Sequence, residues 1–114
     1  MLEVELPYPP SINHYWRRVG LKTLISREGR RFRERVVRIL ADLRLEKLSG
    51  SLAVDVEVYP PDNRRRDIDN TQKALLDALQ HGGAYGDDSQ IVRLNAEKHP
   101  PVPGGKTIVR IRCM

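Results

Sequence analysis

Residues 52–59 read Leu52-Ala53-Val54-Asp55-Val56-Glu57-Val58-Tyr59, and Pro60-Pro61 follow. Leu52, Val54, Val56 and Val58 alternate with Ala53, Asp55, Glu57 and Tyr59, which is the period of a strand with one buried face. The proline pair ends that strand, because proline has no N–H to give to a ladder. Working toward the C-terminus, a helix is expected from about Asp69 or Asn70 to Gln80, with Ala74, Leu75, Ala78 and Leu79 inward and Gly82-Gly83 as its stop. A third strand, about Gln90 to Lys98, places Val92, Leu94 and Ala96 on one face. The last strand, Lys106 to Cys113, turns Val109 and Ile111 inward. Toward the N-terminus, Ser26 is placed to cap a helix reaching about Leu48, with a core stripe of Phe32, Val36, Ile39, Leu40 and Leu43 and a stop at Gly50. Before it comes an irregular arm, Ser11 to Ile25. The chain opens on a short strand in which Leu2, Val4 and Leu6 alternate with Glu3 and Glu5.

The element order is β-α-β-α-β-β. It implies an α/β (α+β) fold, one domain over residues 1–114, with a mixed four-stranded sheet and two helices. A helix that joins two parallel strands is expected to cross over right-handed. The last two strands are close enough in sequence to pair as an antiparallel hairpin.

A chain of 114 residues can bury a core without disulfides or structural metal. No stretch approaches the roughly 18 apolar residues of a membrane span. The opening Met1-Leu2-Glu3-Val4-Glu5 is acidic and alternating, unlike a signal peptide. The one cysteine, Cys113, forms no internal disulfide and no zinc pattern, so a cytoplasmic place is expected. Twenty basic residues against fifteen acidic ones give a net charge of +5. Between Arg17 and Arg38, nine Lys/Arg face only Glu28 and Glu34, so that segment alone carries +7. Such a concentration suits a polyanion partner.

The chemistry is concentrated in Asp62-Asn63-Arg64-Arg65-Arg66-Asp67-Ile68-Asp69-Asn70-Thr71-Gln72-Lys73. In extended chain, residues two apart share a side, so Asp67 and Asp69 can offer two carboxylates to one point. Lys73 follows about one helical turn beyond Asp69. Crowded carboxylates repel, and a divalent cation relieves the repulsion; hard oxygen ligands favour magnesium or manganese over zinc. Asp87-Asp88 supply a third ligand if the loop after the second helix folds back. Parallel flanking strands would instead put the two acidic stretches at opposite ends of the sheet. Each piece also has an ordinary use: Asp69 or Asn70 as a helix cap, Asp87-Asp88 as a turn, Lys73 and Asp77 as an i, i+4 pair. Arg64, Arg65 and Arg66 are either a solvated run or a phosphate clamp. Asn13, Tyr15, Trp16, Arg17 and Arg18 interleave aromatic and basic groups as a nucleic-acid surface does, and Tyr15 and Trp16 are equally suited to plain packing. His14, His81 and His99 lack metal-ligand spacing.

Pro9-Pro10-Ser11-Ile12-Asn13, the Arg66-Asp67-Ile68-Asp69-Asn70 run with Lys73, Asp77-Ala78-Leu79 and Asp87-Asp88-Ser89-Gln90 together resemble the RusA-type Holliday-junction resolvases. The resemblance runs from the first strand to the last. It implies a small homodimeric endodeoxyribonuclease that cuts four-way branched DNA by paired symmetric nicks, using Mg2+ (with Mn2+ as a substitute), no small-molecule cofactor and no membrane. By motif, Asp67, Asp69 and Asp88 would hold the metal, and Lys73 would be the catalytic lysine. Arg64, Arg65 and Arg66, the arm residues Asn13, Tyr15, Trp16, Arg17 and Arg18, and the helix residues Arg30 and Arg31 would bind DNA. Tyr85-Gly86 departs from the family pattern, which has a bulkier apolar residue before the acid pair. Rival readings are a metal nuclease for flaps, forks or duplex, an RNA-processing nuclease, and a noncatalytic DNA-binding module.

Overall fold

The computed structural model describes all 114 residues. In chain order the elements are β1 (Leu2–Leu6), α1 (Ile12–Tyr15), β2 (Trp16–Val19), β3 (Lys22–Ile25), α2 (Arg27–Asp42), β4 (Leu52–Tyr59), α3 (Gln72–His81), β5 (Ile91–Lys98) and β6 (Lys106–Cys113). The main sheet has the order β1-β6-β4-β5. β4 lies between β6, antiparallel with Val56 opposite Val109, and β5, parallel with Val56 opposite Ala96. The sheet is mixed and four-stranded as expected, but the two last strands are not a hairpin. β4 separates them, because its alternating valines fill the centre of the sheet and pair on both edges.

The face of the sheet carrying Val4, Val54, Val56, Val58, Val109 and Ile111 is buried under α2 and α3, which contribute Phe32, Val36, Leu40, Ala74, Leu75, Ala78 and Leu79 to the same core. All four residues expected to face inward from α3 do so. The opposite face is a charged ladder in which Arg110 meets Glu57 and Glu3, and Arg112 meets Asp55. Exposed pairs of this kind add little stability and mainly keep that face in water.

Ser26 caps α2 as expected, its Oγ accepting from the Gly29 N–H at 2.9 Å. The helix ends at Asp42, however, and does not reach Leu48. Leu43 and Arg44 close it with bonds to the carbonyls of Leu40 and Ala41, and Arg44 takes the left-handed region at φ 50°. Leu43, expected in the stripe, is therefore past the helix end and exposed. Leu48 leaves the helix because its N–H is taken by the Ala84 carbonyl at 2.9 Å. On β5, Val92 and Leu94 are 59% and 44% exposed, while Ala96 on the same face packs against the core. β5 is an edge strand, and the helices do not extend over it.

The arm from Ser11 to Ile25 is not irregular. It is one turn of helix followed by the β2-β3 hairpin, a second two-stranded sheet. Two contacts fasten it. Tyr15, fully buried, donates its hydroxyl to Asp77 Oδ2 on α3, and Arg33 Nη2 on α2 donates to the same oxygen at 2.8 Å. Gly29 lies under the Tyr15 carbonyl, where any side chain would collide. Burial acts to raise the Asp77 carboxyl, and the bonds from Tyr15 and Arg33 outweigh it, leaving the group below its ordinary value.

Burial, with the bond to Asp77, pushes the Tyr15 phenol from 10.0 up to about 12. The protonated hydroxyl is the stabilising form, so its contribution is full below pH 10 and is lost as pH rises toward about 12. Tyr15→Phe should lower stability by about 2 kcal/mol at neutral pH. Urea denaturation of parent and variant should show that gap closing between pH 10 and about 12.

Candidate active site

β4 delivers the chain to its C-terminal end, and Pro60-Pro61 turn it into the arginine loop. Asp62 organises that loop. Its carboxylate accepts the Arg64 N–H at 3.0 Å and Arg66 Nη1 at 2.7 Å. Arg66 also donates to the carbonyls of Asp62 and Arg64, and its guanidinium lies 5.8 Å from the centre of the Tyr8 ring. The Arg66 guanidinium, together with the Arg64 amide, holds the Asp62 carboxyl at about 2. Lys98 at the end of β5 donates to the Arg66 carbonyl at 2.9 Å. Arg66 is thus a fixed group, while Arg64 and Arg65 are open to solvent. Between this loop and the Pro9-Pro10-Ser11 segment lies a cleft of about 400 Å³, lined among others by His14, Arg64, Arg65, Arg66, Asp67 and Asn70.

Asp67 and Asp69 are both exposed, and neither forms an ion pair or a helix cap. Their carboxylates are unspent. They do not share one side of an extended strand, because the chain turns into a 3₁₀ helix at Ile68–Thr71 between them. Asp67 faces the cleft and Asp69 stands outside it, before the first turn of α3. Lys73 is exposed one turn further on; it makes no ion pair with Asp77, whose Oδ2 is held by Tyr15 and Arg33 and whose Oδ1 lies 3.9 Å from His81 Nε2.

The later acids behave differently. Asp87 caps a short 3₁₀ turn, its Oδ1 accepting the Ser89 N–H at 2.8 Å, and that bond lowers its carboxyl below the ordinary value. Gln90 completes the turn: Oε1 accepts from Gly86 and Asp87, and Nε2 donates to the carbonyls of Leu48 and Gly50. Asp88 is half-buried, with its N–H on Gln80 Oε1 at 3.0 Å. Its Oδ1 is buried without a hydrogen-bond donor. Tyr85, whose hydroxyl donates to the Leu76 carbonyl at 2.7 Å, lies close by; its burial first, and the Asp88 charge second, push the phenol far up.

Asp88 and Asp67 belong to opposite ends of the sheet. β4 and β5 are parallel, Leu52 pairs with Ile91 and Val58 with Lys98, and a strand of eight residues spans about 25 Å. The loop after α3 does run back, but Asp88 meets that helix at Gln80 in its last turn, and Tyr85 meets it at the Leu76 carbonyl. No three acidic, histidine or cysteine side chains of one chain converge on a point that would hold a metal ion. The groups are right in kind for a hard cation: free carboxylates at Asp67 and Asp69, and an Asp88 carboxyl whose Oδ1 is buried beside the Tyr85 hydroxyl. One chain holds them in two places.

Asn13, Arg17, Arg18, Arg30 and Arg31 are exposed. Tyr15 is not available for base stacking, since it is fully buried and bonded to Asp77. Trp16 is half-buried against the core, edge-on to Tyr15 at 5.0 Å. Both aromatics anchor the arm because their rings fill the space between it and the helices.

Compared with known proteins, residues 7–112 match the family described as Endodeoxyribonuclease RusA. The chain belongs to the RusA endodeoxyribonuclease family. The crossover junction endodeoxyribonuclease of Enterobacteria phage HK97 is 43% identical over 107 residues, covering 93% of this chain and 89% of that protein. Those of Shigella sonnei (strain Ss046) and Escherichia coli (strain K12) are 41% and 40% identical over 112 residues, covering 97% of this chain and 93% of each relative. Within this RusA-family chain, Gly86 does not leave the acid pair loose, because Gln90 Oε1 binds its N–H at 2.8 Å. Asp62, Tyr8, Arg33 and Gln90 were not legible as site-organising residues; Gln90 alone carried a signal, as the fourth member of Asp-Asp-Ser-Gln. Gln90→Ala should lower stability by about 1–2 kcal/mol in urea denaturation, since four backbone groups lose their partner.

Proposed function

We propose that this protein is a crossover junction endodeoxyribonuclease that resolves four-way DNA junctions by paired symmetric nicks, with Mg2+ (or Mn2+) held by Asp67, Asp69 and Asp88. The observation that carries the reading is the match to RusA over residues 7–112. It is supported by the unspent carboxylates of Asp67 and Asp69 and by the buried Asp88 Oδ1. When bound, such a metal supplies a Lewis acid at the phosphoryl oxygen and a more acidic water. Arg64 and Arg65 hold the DNA backbone at the cleft, and Arg66, already fixed by Asp62, presents a rigid positive edge to it. Lys73 keeps its ammonium free of any ion pair and offsets charge that builds on the phosphate or the leaving 3′ oxygen.

The protein acts as a homodimer. A four-way junction has two matching cut sites, and a two-fold pair of subunits supplies two centres in that relation. The dimer also gives Asp67 and Asp69 of one subunit a route to the Asp88 carboxylate of another, which a single chain keeps apart. Exposed Val92 and Leu94 on edge strand β5 are the apolar surface such a partner covers. No helix is long and apolar enough to cross a membrane, and a cytoplasmic place suits the exposed free thiol of Cys113.

The deciding experiment is cleavage of a labelled synthetic four-way junction beside matched duplex, with magnesium or EDTA. Symmetric magnesium-dependent nicks confined to the junction are expected; equal cutting of both substrates would favour a general nuclease. Asp69→Asn should abolish cutting and keep junction binding, and full activity would remove Asp69 from the metal site. Lys73→Ala should slow turnover on the order of a hundredfold at saturating magnesium. Leu94→Arg should convert the dimer to monomers in sedimentation and remove cleavage. A persisting dimer would move the interface off β5.

A further inference from the structure

The β2-β3 hairpin is a sheet of its own, paired with nothing else in the chain. Trp16 stands opposite Ile25, Arg17 opposite Leu24, Arg18 opposite Thr23 and Val19 opposite Lys22. Gly20, at φ +60°, opens the two-residue turn in the position where a II′ hairpin turn needs glycine. Side chains alternate across the ribbon. Trp16 and Ile25, on one face, pack against the core at the base. The base is closed by the Ser26 N–H on the Tyr15 carbonyl at 2.8 Å, and the Tyr15–Asp77 bond lies directly beneath. The other face, Arg17, Val19, Lys22 and Leu24, is exposed throughout. At the tip Leu21 is 98% exposed.

A single exposed leucine needs no explanation. Here three apolar side chains, Val19, Leu21 and Leu24, stand on one projecting ribbon among three cations and no acid. A partner that suits this pattern has an anionic outline with apolar planes inside it. Nucleic acid has that chemistry, with phosphates outside and base faces within. In continuous duplex the base faces are closed by stacking, and prising them open costs several stacking contacts. At the branch point of a four-way junction, continuous stacking is interrupted and the opening is easier. The hairpin also starts at the rim of the cleft, since His14, which lines it with Asp67, lies two residues before β2.

The geometry points to the β2-β3 hairpin as a wedge: Leu21 enters among the bases at the branch point, and Arg17, Arg18 and Lys22 hold the flanking phosphates. This rests on the reading of the protein as a junction nuclease, and it gives that nuclease a means of preferring branched DNA. The rigid base transmits the position of the tip to the cleft through Tyr15 and Asp77. The cations bind any backbone; the apolar tip is productive only where stacking is already broken.

The test uses the full-length protein in EDTA and a junction carrying 2-aminopurine either beside the branch point or in the middle of an arm. Binding of the parent should raise fluorescence at the branch point and not in the arm. Leu21→Ser should remove most of that rise and weaken junction affinity on the order of tenfold, the loss expected for one buried leucine contact. Affinity for linear duplex should stay within about twofold, because phosphate contacts set it. Leu21→Phe should keep the rise. Leu21 is almost wholly in solvent, so neither change disturbs the fold. A parental rise with Leu21→Ser, an equal loss of duplex affinity, or a change of oligomeric state in sedimentation would each overturn the wedge. A parent that binds junction selectively but leaves the branch-point base dark would overturn the wedge alone. A parent that binds junction no better than duplex would overturn the junction-selective reading from which the wedge follows.

Discussion

Asp77 holds three parts of the molecule in one relation. Its carboxylate, partly shielded inside the fold, takes the Tyr15 hydroxyl from the arm and the Arg33 guanidinium from α2, and it sits on α3 itself. A charge in that position is stable only with donors around it. The donors come from segments 62 and 44 residues away in sequence. The arm, the basic helix and the helix that begins beside Asp69 and bears Lys73 are therefore positioned together. Loss of one partner leaves a partly buried charge short of a bond and loosens the seat of the other two.

The second constraint is the parallel pairing of β4 and β5. A parallel pair needs a crossover, here α3, and a crossover carries the chain from one end of the sheet to the other. Asp67 and Asp69 are left at the end where β4 finishes, and Asp88 at the end where β5 starts. The return of the loop after α3 is limited by Gln80 and Gln90, which pin its backbone. Carboxylates kept apart in this way do not repel one another within the chain.

The cleft shows how a charge run becomes a shaped surface. Three successive arginines in sequence look equivalent. In the fold, Arg66 is tied to Asp62 and lies over Tyr8, Arg64 is mostly in solvent with a long 3.8 Å pair to Asp62, and Arg65 is exposed. Asp62 makes the difference: as an Asx-type acceptor two residues before Arg64 and four before Arg66, it closes the loop on itself. A fixed guanidinium loses little entropy on meeting phosphate, and free ones adapt to the backbone path.

The strands with strict alternation, the inward face of α3 and the Ser26 cap were all legible in the sequence. Those features are local: a period of two, a spacing of three and four, or a side chain of given charge is written within a few residues. The pairing of distant segments settles the rest: β4 divides β5 from β6, Val92 and Leu94 are left open, Tyr15 is a buried donor instead of a stacking surface, and Asp88 stands apart from Asp67. Each of these depends on which distant segment competes for the same hydrogen-bonding edge or the same apolar face. Strand pairing, helix coverage and carboxylate partners are settled by that competition, and no local pattern contains its outcome.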